Sequence, residues 1–118
     1  MEPERKEVFQ ILEGEEQIIL KADELLNNVE KEVLMFISEH DIANFYHSGI
    51  LDKLKKTKYS LSKVDDGLPT YILADDEQLL LLIRTNNGKK KVAALWTNYD
   101  VFIRALKVLF LELWSNEA

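Results

Sequence analysis

Lys91-Val-Ala-Ala-Leu-Trp96-Thr-Asn98-Tyr-Asp100-Val-Phe-Ile-Arg-Ala-Leu-Lys-Val-Leu-Phe110-Leu-Glu-Leu-Trp114 is the stretch from which the rest of this chain is best read. Val92, Ala93, Ala94, Leu95 and Trp96 make an apolar run of strand length. The polar pair Thr97-Asn98 then caps a helix whose apolar side chains lie nearly all round. A surface helix carries one apolar stripe toward its core, so a helix apolar on most of its circumference must be covered on more than one side. A strand feeding such a helix predicts a small α/β domain whose last helix is both core and contact surface.

Wound at about 100° per residue, Val101, Phe102, Ala105, Leu106, Leu109 and Leu113 fill one broad arc that suits a sheet. Ile103, Phe110 and Trp114 widen the arc, and Leu111 falls between Arg104 and Lys107 on the outer side. One sheet face cannot cover so much. A neighbouring helix of the same chain has little to offer, because the segment 15–30 has a single apolar face. The pattern therefore predicts a homodimer, with Phe110 and Trp114 as interface anchors, Leu111 at the rim and Ile103 also in the interface.

Upstream, Val8, Phe9, Ile11 and Leu12 predict a strand over 6–13, broken by Gly14. Glu15-Glu16 place negative charge at the positive end of a helix dipole. Ile18, Ile19, Ala22, Leu25, Leu26 and Val29 recur at helical spacing, which predicts a helix over 15–30. Val33-Leu-Met-Phe-Ile37 is a continuous apolar run, the mark of a central strand buried on both faces, over 32–38. A loop at 39–41 with Asp41 as N-cap leads to a helix over 41–56, kinked or split at Ser48-Gly49. A short strand through Tyr59, Leu61 and Val64 ends at the turn Asp65-Asp66-Gly67. Strands at 70–74 and 78–85 flank Asp75-Asp76-Glu77 as an antiparallel hairpin, and Asn86-Asn87-Gly88 turns the chain into the closing strand and helix. The order is β-α-β-α-β-β-β-β-α. Residues 1–6 read as a tail or linker remnant and 7–115 as one domain without repeats.

With 118 residues, 47% of them apolar and 31% charged, the chain suits one globular domain with its own core. Its formal charge of −6 offers no counterion-release energy to a phosphate backbone, which argues against nucleic acid as a direct partner. Lys53, Lys55, Lys56, Lys58, Lys89, Lys90 and Lys91 alternate with acids or sit at turns and read as solvated faces. The absence of cysteine removes disulfides and thiolate chemistry. No apolar run approaches the ~20 residues of a membrane span, and the acidic start lacks a signal-peptide core; both fit a cytoplasmic chain.

Residues that could carry chemistry are sparse. His40 and His47 are seven apart and lack a third metal ligand beyond a guess at Glu39 or Asp41, so no metal is expected. Gly14, Gly49, Gly67 and Gly88 are isolated turn residues, not a phosphate loop. Asp75-Asp76-Glu77 reads as a hairpin tip before it reads as an acidic catalytic cluster. Nothing calls for a cofactor.

Three stretches carry a family resemblance. Phe9-Gln-Ile-Leu-Glu-Gly14-Glu-Glu-Gln-Ile-Ile19, Asn28-Val-Glu-Lys-Glu-Val33-Leu-Met-Phe-Ile37 and Ala94-Leu-Trp96-Thr-Asn98 with the helix ending Glu112-Leu-Trp114 resemble the phospholipase D-like sensor domain of archaeal TrmB-type transcription regulators and related signalling proteins. The resemblance implies a three-layer α-β-α domain with a mixed sheet. It also implies a regulatory role, through a small effector, through dimerisation, or through both. Catalytic members of the superfamily carry His-x-Lys-x-x-x-x-Asp. Counting back from Asp76 puts Pro69 and Tyr71 at the His and Lys positions; counting back from Asp75 puts Leu68 and Thr70 there. Neither register supplies a nucleophile or a phosphate-binding cation, so the sequence predicts no enzyme.

In open α/β sheets ligands favour the crevice beyond the carboxyl ends of strands, where helix N-termini favour anionic groups. Ser38 and His40 after the buried strand, and Thr97 and Asn98 after the last one, are therefore the candidate ligand residues, with Tyr71 as an aromatic contact. The plainer reading is that Ser38 and Asn98 cap helices and that the aromatics pack. The competing functional class is a pure dimerisation module without a small ligand.

Overall fold

A computed structural model describes residues 6–64, 69–85 and 91–117. The turns expected at Asp65-Asp66-Gly67 and Asn86-Asn87-Gly88, the tail through residue 5, and the side chains of His40 and Trp114 lie outside that description. β1 (Phe9–Glu13) leads into α1 (Glu15–Asn27), then β2 (Val33–Ser38), α2 (Glu39–His47) and α3 (Ile50–Leu54). β3 (Tyr59–Val64), β4 (Tyr71–Ala74), β5 (Gln78–Thr85), β6 (Lys91–Thr97) and α4 (Asp100–Glu117) complete the chain. The expected order holds, with the split helix resolved as α2 and α3.

The six strands form one sheet in the order β1-β6-β5-β4-β2-β3. Only β2 and β3 pair in parallel; the four other pairings are antiparallel. Every residue of β2 is buried, because period-2 alternation sends its side chains into two separate cores. Val33, Met35 and Ile37 join Ile18, Ala22 and Leu25 of α1, Phe45 of α2, and Ile50 and Leu54 of α3. Leu34 and Phe36 join Tyr71, Leu73 and Leu79 under Ile103 and Phe110 of α4. The layers are α1–α3, sheet, α4: a three-layer α-β-α domain.

Two glycines and two aspartates set the corners. Gly14 (φ 89) and Gly49 (φ 83) adopt backbone angles that a Cβ makes costly, and they start α1 and α3. Asp75 and Asp76 are also left-handed (φ 56 and 58) at the β4–β5 hairpin, a geometry that short polar side chains tolerate by bonding nearby backbone.

The structure corrects several expectations. α2 opens at Glu39, so 39–41 is not a loop, and Asp41 is not its N-cap but sits buried within the first turn. α1 ends at Asn27 rather than at residue 30, because the backbone N–H groups of Glu30, Lys31 and Glu32 bond to Asp75 instead of to a helix. On α4 the inward stripe is shifted: Leu106 and Leu113 pack against the sheet as expected, but other positions change sides. Ile103 and Phe110, expected in the dimer interface, are 2% and 1% exposed and belong to the core. Val101, Phe102, Ala105 and Leu109, expected under the sheet, face outward. The physical reason is aromatic. Phe110 packs 4.7 Å from the Phe36 ring, Tyr71 lies 5.1 Å from Phe36, and the Tyr71 hydroxyl donates to the Leu106 carbonyl at 2.9 Å. That cluster rotates the helix to present Phe110. Leu111 is exposed.

Candidate functional site

The sequence nominated residues at the ends of β2 and β6, and the sheet separates them. β6 runs antiparallel to β5, β5 to β4, and β4 to β2, so β6 is antiparallel to β2 and their carboxyl ends lie at opposite edges. A six-residue strand spans roughly 20 Å. Ser38, with His40 two residues on in α2, and the pair Thr97 with Asn98 therefore do not form one site.

At the β6 end, Thr97 and Asn98 hold the chain entry. The Val8 N–H donates to Asn98 Oδ1 at 2.8 Å, Asn98 Nδ2 donates to the Lys6 carbonyl, and the Thr97 hydroxyl donates to the Val8 carbonyl. Thr97 Oγ1 also accepts the Tyr99 N–H. Phe9 stacks on Tyr99 at 4.5 Å. These polar atoms are engaged in pinning β1 to β6. Tyr71 is fully buried on the α4 side, and burial pushes its hydroxyl far above the usual phenol range.

The β2 end is built differently. Ser38 Oγ donates to Asp41 Oδ2 at 3.0 Å, Thr70 Oγ1 donates to the same oxygen at 2.5 Å, and the Ser38 N–H donates to Thr70 Oγ1. All three residues are buried, so this network ties the first turn of α2 to the start of β4 in a low-dielectric setting. Beside it, between α1 and α2, opens a cleft of about 500 Å³. Ile18, Ile19, Phe45, Leu82 and Val92 make its apolar walls. Glu15, Glu16, Asp41, Asn44, His47 and Ser48 bring polar groups to it, with Asn44 Nδ2 donating to Glu15 Oε1. Its size and apolar lining with a few polar groups are those of small-molecule sites. Periodicity reads these apolar residues as core, and nothing local in the sequence shows that α1 and α2 diverge over them.

The far hairpin has a structural function. Asp75 accepts the N–H groups of Glu30, Lys31 and Glu32 at 2.7–2.9 Å. Burial pushes its carboxyl up, but those three hydrogen bonds and the charge of Lys31 outweigh it and hold the group below the usual carboxylate range. Among the described residues no three His, Asp or Glu side chains converge as metal ligands. No described helix is long and apolar enough to cross a membrane.

Several solved structures share this architecture. TrmBL2, an archaeal chromatin protein described as showing a novel mode of DNA binding, matches over 98% of this chain with a TM-score of 0.64 and 16% identity. The phospholipase D family member Nuc from Salmonella typhimurium matches 93% of this chain and 95% of its own, with a TM-score of 0.62 and 8% identity. NucT from Helicobacter pylori covers 93% and 97%, with a TM-score of 0.58 and 15% identity. The fold is phospholipase D-like. The chain spans only 55% of TrmBL2. No family profile and no curated protein matches the sequence.

On this phospholipase D-like fold the residues at the motif positions are accounted for by packing. In the Asp75 register, Thr70 stands for the Lys, and its hydroxyl is committed to Ser38 and Asp41. In the Asp76 register, Tyr71 stands there and points into the α4 core, while Pro69 is an exposed residue without a titratable group. Leu68 lies outside the described residues.

Proposed function

We propose that this chain is a non-catalytic regulatory domain that takes a small organic effector into the cleft between α1 and α2. The observation that carries the reading is the cleft itself: apolar walls, a polar rim, and the Ser38–Asp41–Thr70 network at its edge. Glu15, Glu16 and Asp41 favour a ligand with an apolar body and a hydroxyl- or ammonium-bearing head over an anionic one. The absence of a Lys at either motif register supports a regulatory use over phosphodiester chemistry. The likeness to TrmBL2, an archaeal chromatin protein, supports a place in a DNA-associated regulator.

Thermal unfolding in a panel of primary alkylamines, choline-type cations, polyols and carboxylates tests this. A cation or polyol should raise the melting temperature, and Ile19→Trp, which fills the cleft from its wall, should remove that rise while leaving the unliganded domain folded. A chromogenic phosphodiester should show no turnover. If only carboxylates shift the transition, or if Ile19→Trp leaves a cation-induced shift intact, the effector site is elsewhere.

A further inference from the structure

The cleft between α1 and α2 carries acidic groups at two depths. At the bottom, Ile18, Phe45 and Leu82 are buried, and Asp41, which lines the same space, is 3% exposed. At the mouth stand Glu15 and Glu16, both exposed in the first turn of α1. Asn44 Nδ2 donates to Glu15 Oε1 at 3.2 Å, which fixes where that mouth meets α2. A helix rises about 1.5 Å per residue, so Asn44, three residues past Asp41, sets the outer acids roughly one turn from the inner one. Among the described residues that line the cleft there is no lysine or arginine, and only His47 can carry positive charge. No described cation forms an ion pair with Glu15 or Glu16. Apolar walls lower the local dielectric and strengthen the pull of these carboxylates on a positive charge that enters.

We infer that the occupant of this cleft is a linear aliphatic diamine or polyamine, positively charged at both ends of a methylene chain. The inference rests on the effector reading of the cleft and adds a second charge to its ligand. A monoamine or a polyol meets acid of one depth only. A diamine sets one ammonium beside Asp41, whose carboxylate the Ser38 and Thr70 hydroxyls already hold in place. Its methylenes lie against Ile18 and Phe45, and its other ammonium reaches Glu15 and Glu16. A spacer of three or four carbons covers about one helical turn, ~5.4 Å, which is the step from the inner acid to the outer pair. Each ammonium brings three donors to carboxylates that only accept. A compact divalent cation suits the cleft less well, because its acids do not converge as a ligand set. The bound diamine ties α1 to α2, adding to the Asn44–Glu15 hydrogen bond.

Calorimetric titration of the intact chain at physiological salt tests this, with putrescine, spermidine, butylamine, butanediol and magnesium chloride as probes. Putrescine and spermidine should bind at least about fivefold tighter than butylamine, the gain a second, partly screened ion pair allows. Butanediol and magnesium should bind more weakly than putrescine. Glu15→Gln together with Glu16→Gln, both at exposed positions, should bring putrescine down to the level of butylamine and leave butylamine unchanged. Glu24→Gln together with Glu30→Gln removes the same charge from exposed positions outside the cleft and should leave every affinity as it was. If butylamine or butanediol equals putrescine, and Ile19→Trp abolishes both, the second charge is overturned while the effector site stands. Putrescine binding that survives Ile19→Trp, that magnesium matches, or that falls equally in the Glu24 and Glu30 variant overturns the inference as general attraction to an acidic surface. No binding by any amine or diol overturns it together with the effector reading.

Discussion

At the scale of single residues, Asp75 shows a side chain serving folding where the motif comparison would look for chemistry. Its carboxylate collects three backbone N–H groups that follow α1, and its own N–H donates to the Glu32 carbonyl at 2.9 Å. Asp75→Asn removes the charge and turns an amide donor toward those donors. We expect a loss of roughly 2 kcal/mol in urea unfolding, the size of a hydrogen-bond set to a charged and partly exposed acceptor. Because the folded-state pKa is depressed, the carboxylate's contribution is fully present above the unfolded-state value near ~3.9 and fades as pH falls through the folded one. The stability gap between wild type and Asp75→Asn should therefore be constant at neutral pH and shrink below about pH 4. A gap independent of pH down to full protonation would assign the effect to geometry alone. The sequence marks 75–77 as a hairpin tip, but it carries no sign that this tip reaches back to residues 30–32, some 43–45 positions away.

At the scale of elements, α4 separates what periodicity can say from what packing decides. The sequence shows that this helix is apolar on too many sides for one sheet. Which stripe faces inward depends on the rotation about the helix axis, and several apolar stripes of similar width leave that rotation open. Phe36 and Tyr71 resolve it by offering an aromatic seat to Phe110. The shift predicts opposite outcomes for two neighbouring positions. Phe110→Ala should cost about 3–5 kcal/mol, as for a buried aromatic, whereas Leu111→Ala, at an exposed position, should stay within about 0.5 kcal/mol in a monomeric background. Denaturant midpoints of the two variants measure this, and equal costs would contradict the observed rotation. β2 was the easier element to read, because a run apolar at every position has only one use, a strand with helices on both sides.

At the scale of the whole molecule, the charge of −6 and the basic groups that are present bear on partners. Among those groups, Lys53 pairs with Asp23 and Lys107 with Asp76. Duplex DNA should not bind this chain measurably at physiological salt, and salt-sensitive micromolar retention in a gel-shift titration would contradict that. The sequence by itself determined the order of elements, the double burial of β2, the break at Ser48-Gly49 and the surplus of apolar surface on the last helix. Each of these follows from local periodicity, from backbone-permissive residues or from summed composition, and none depends on distant neighbours. Tertiary structure alone decided that β2 and β6 end at opposite edges, that Asp41 reaches Thr70, that α1 and α2 part over a cleft, and which face of α4 is bare. Those are properties of strand direction and helix rotation, and they are set by contacts between residues far apart in the chain.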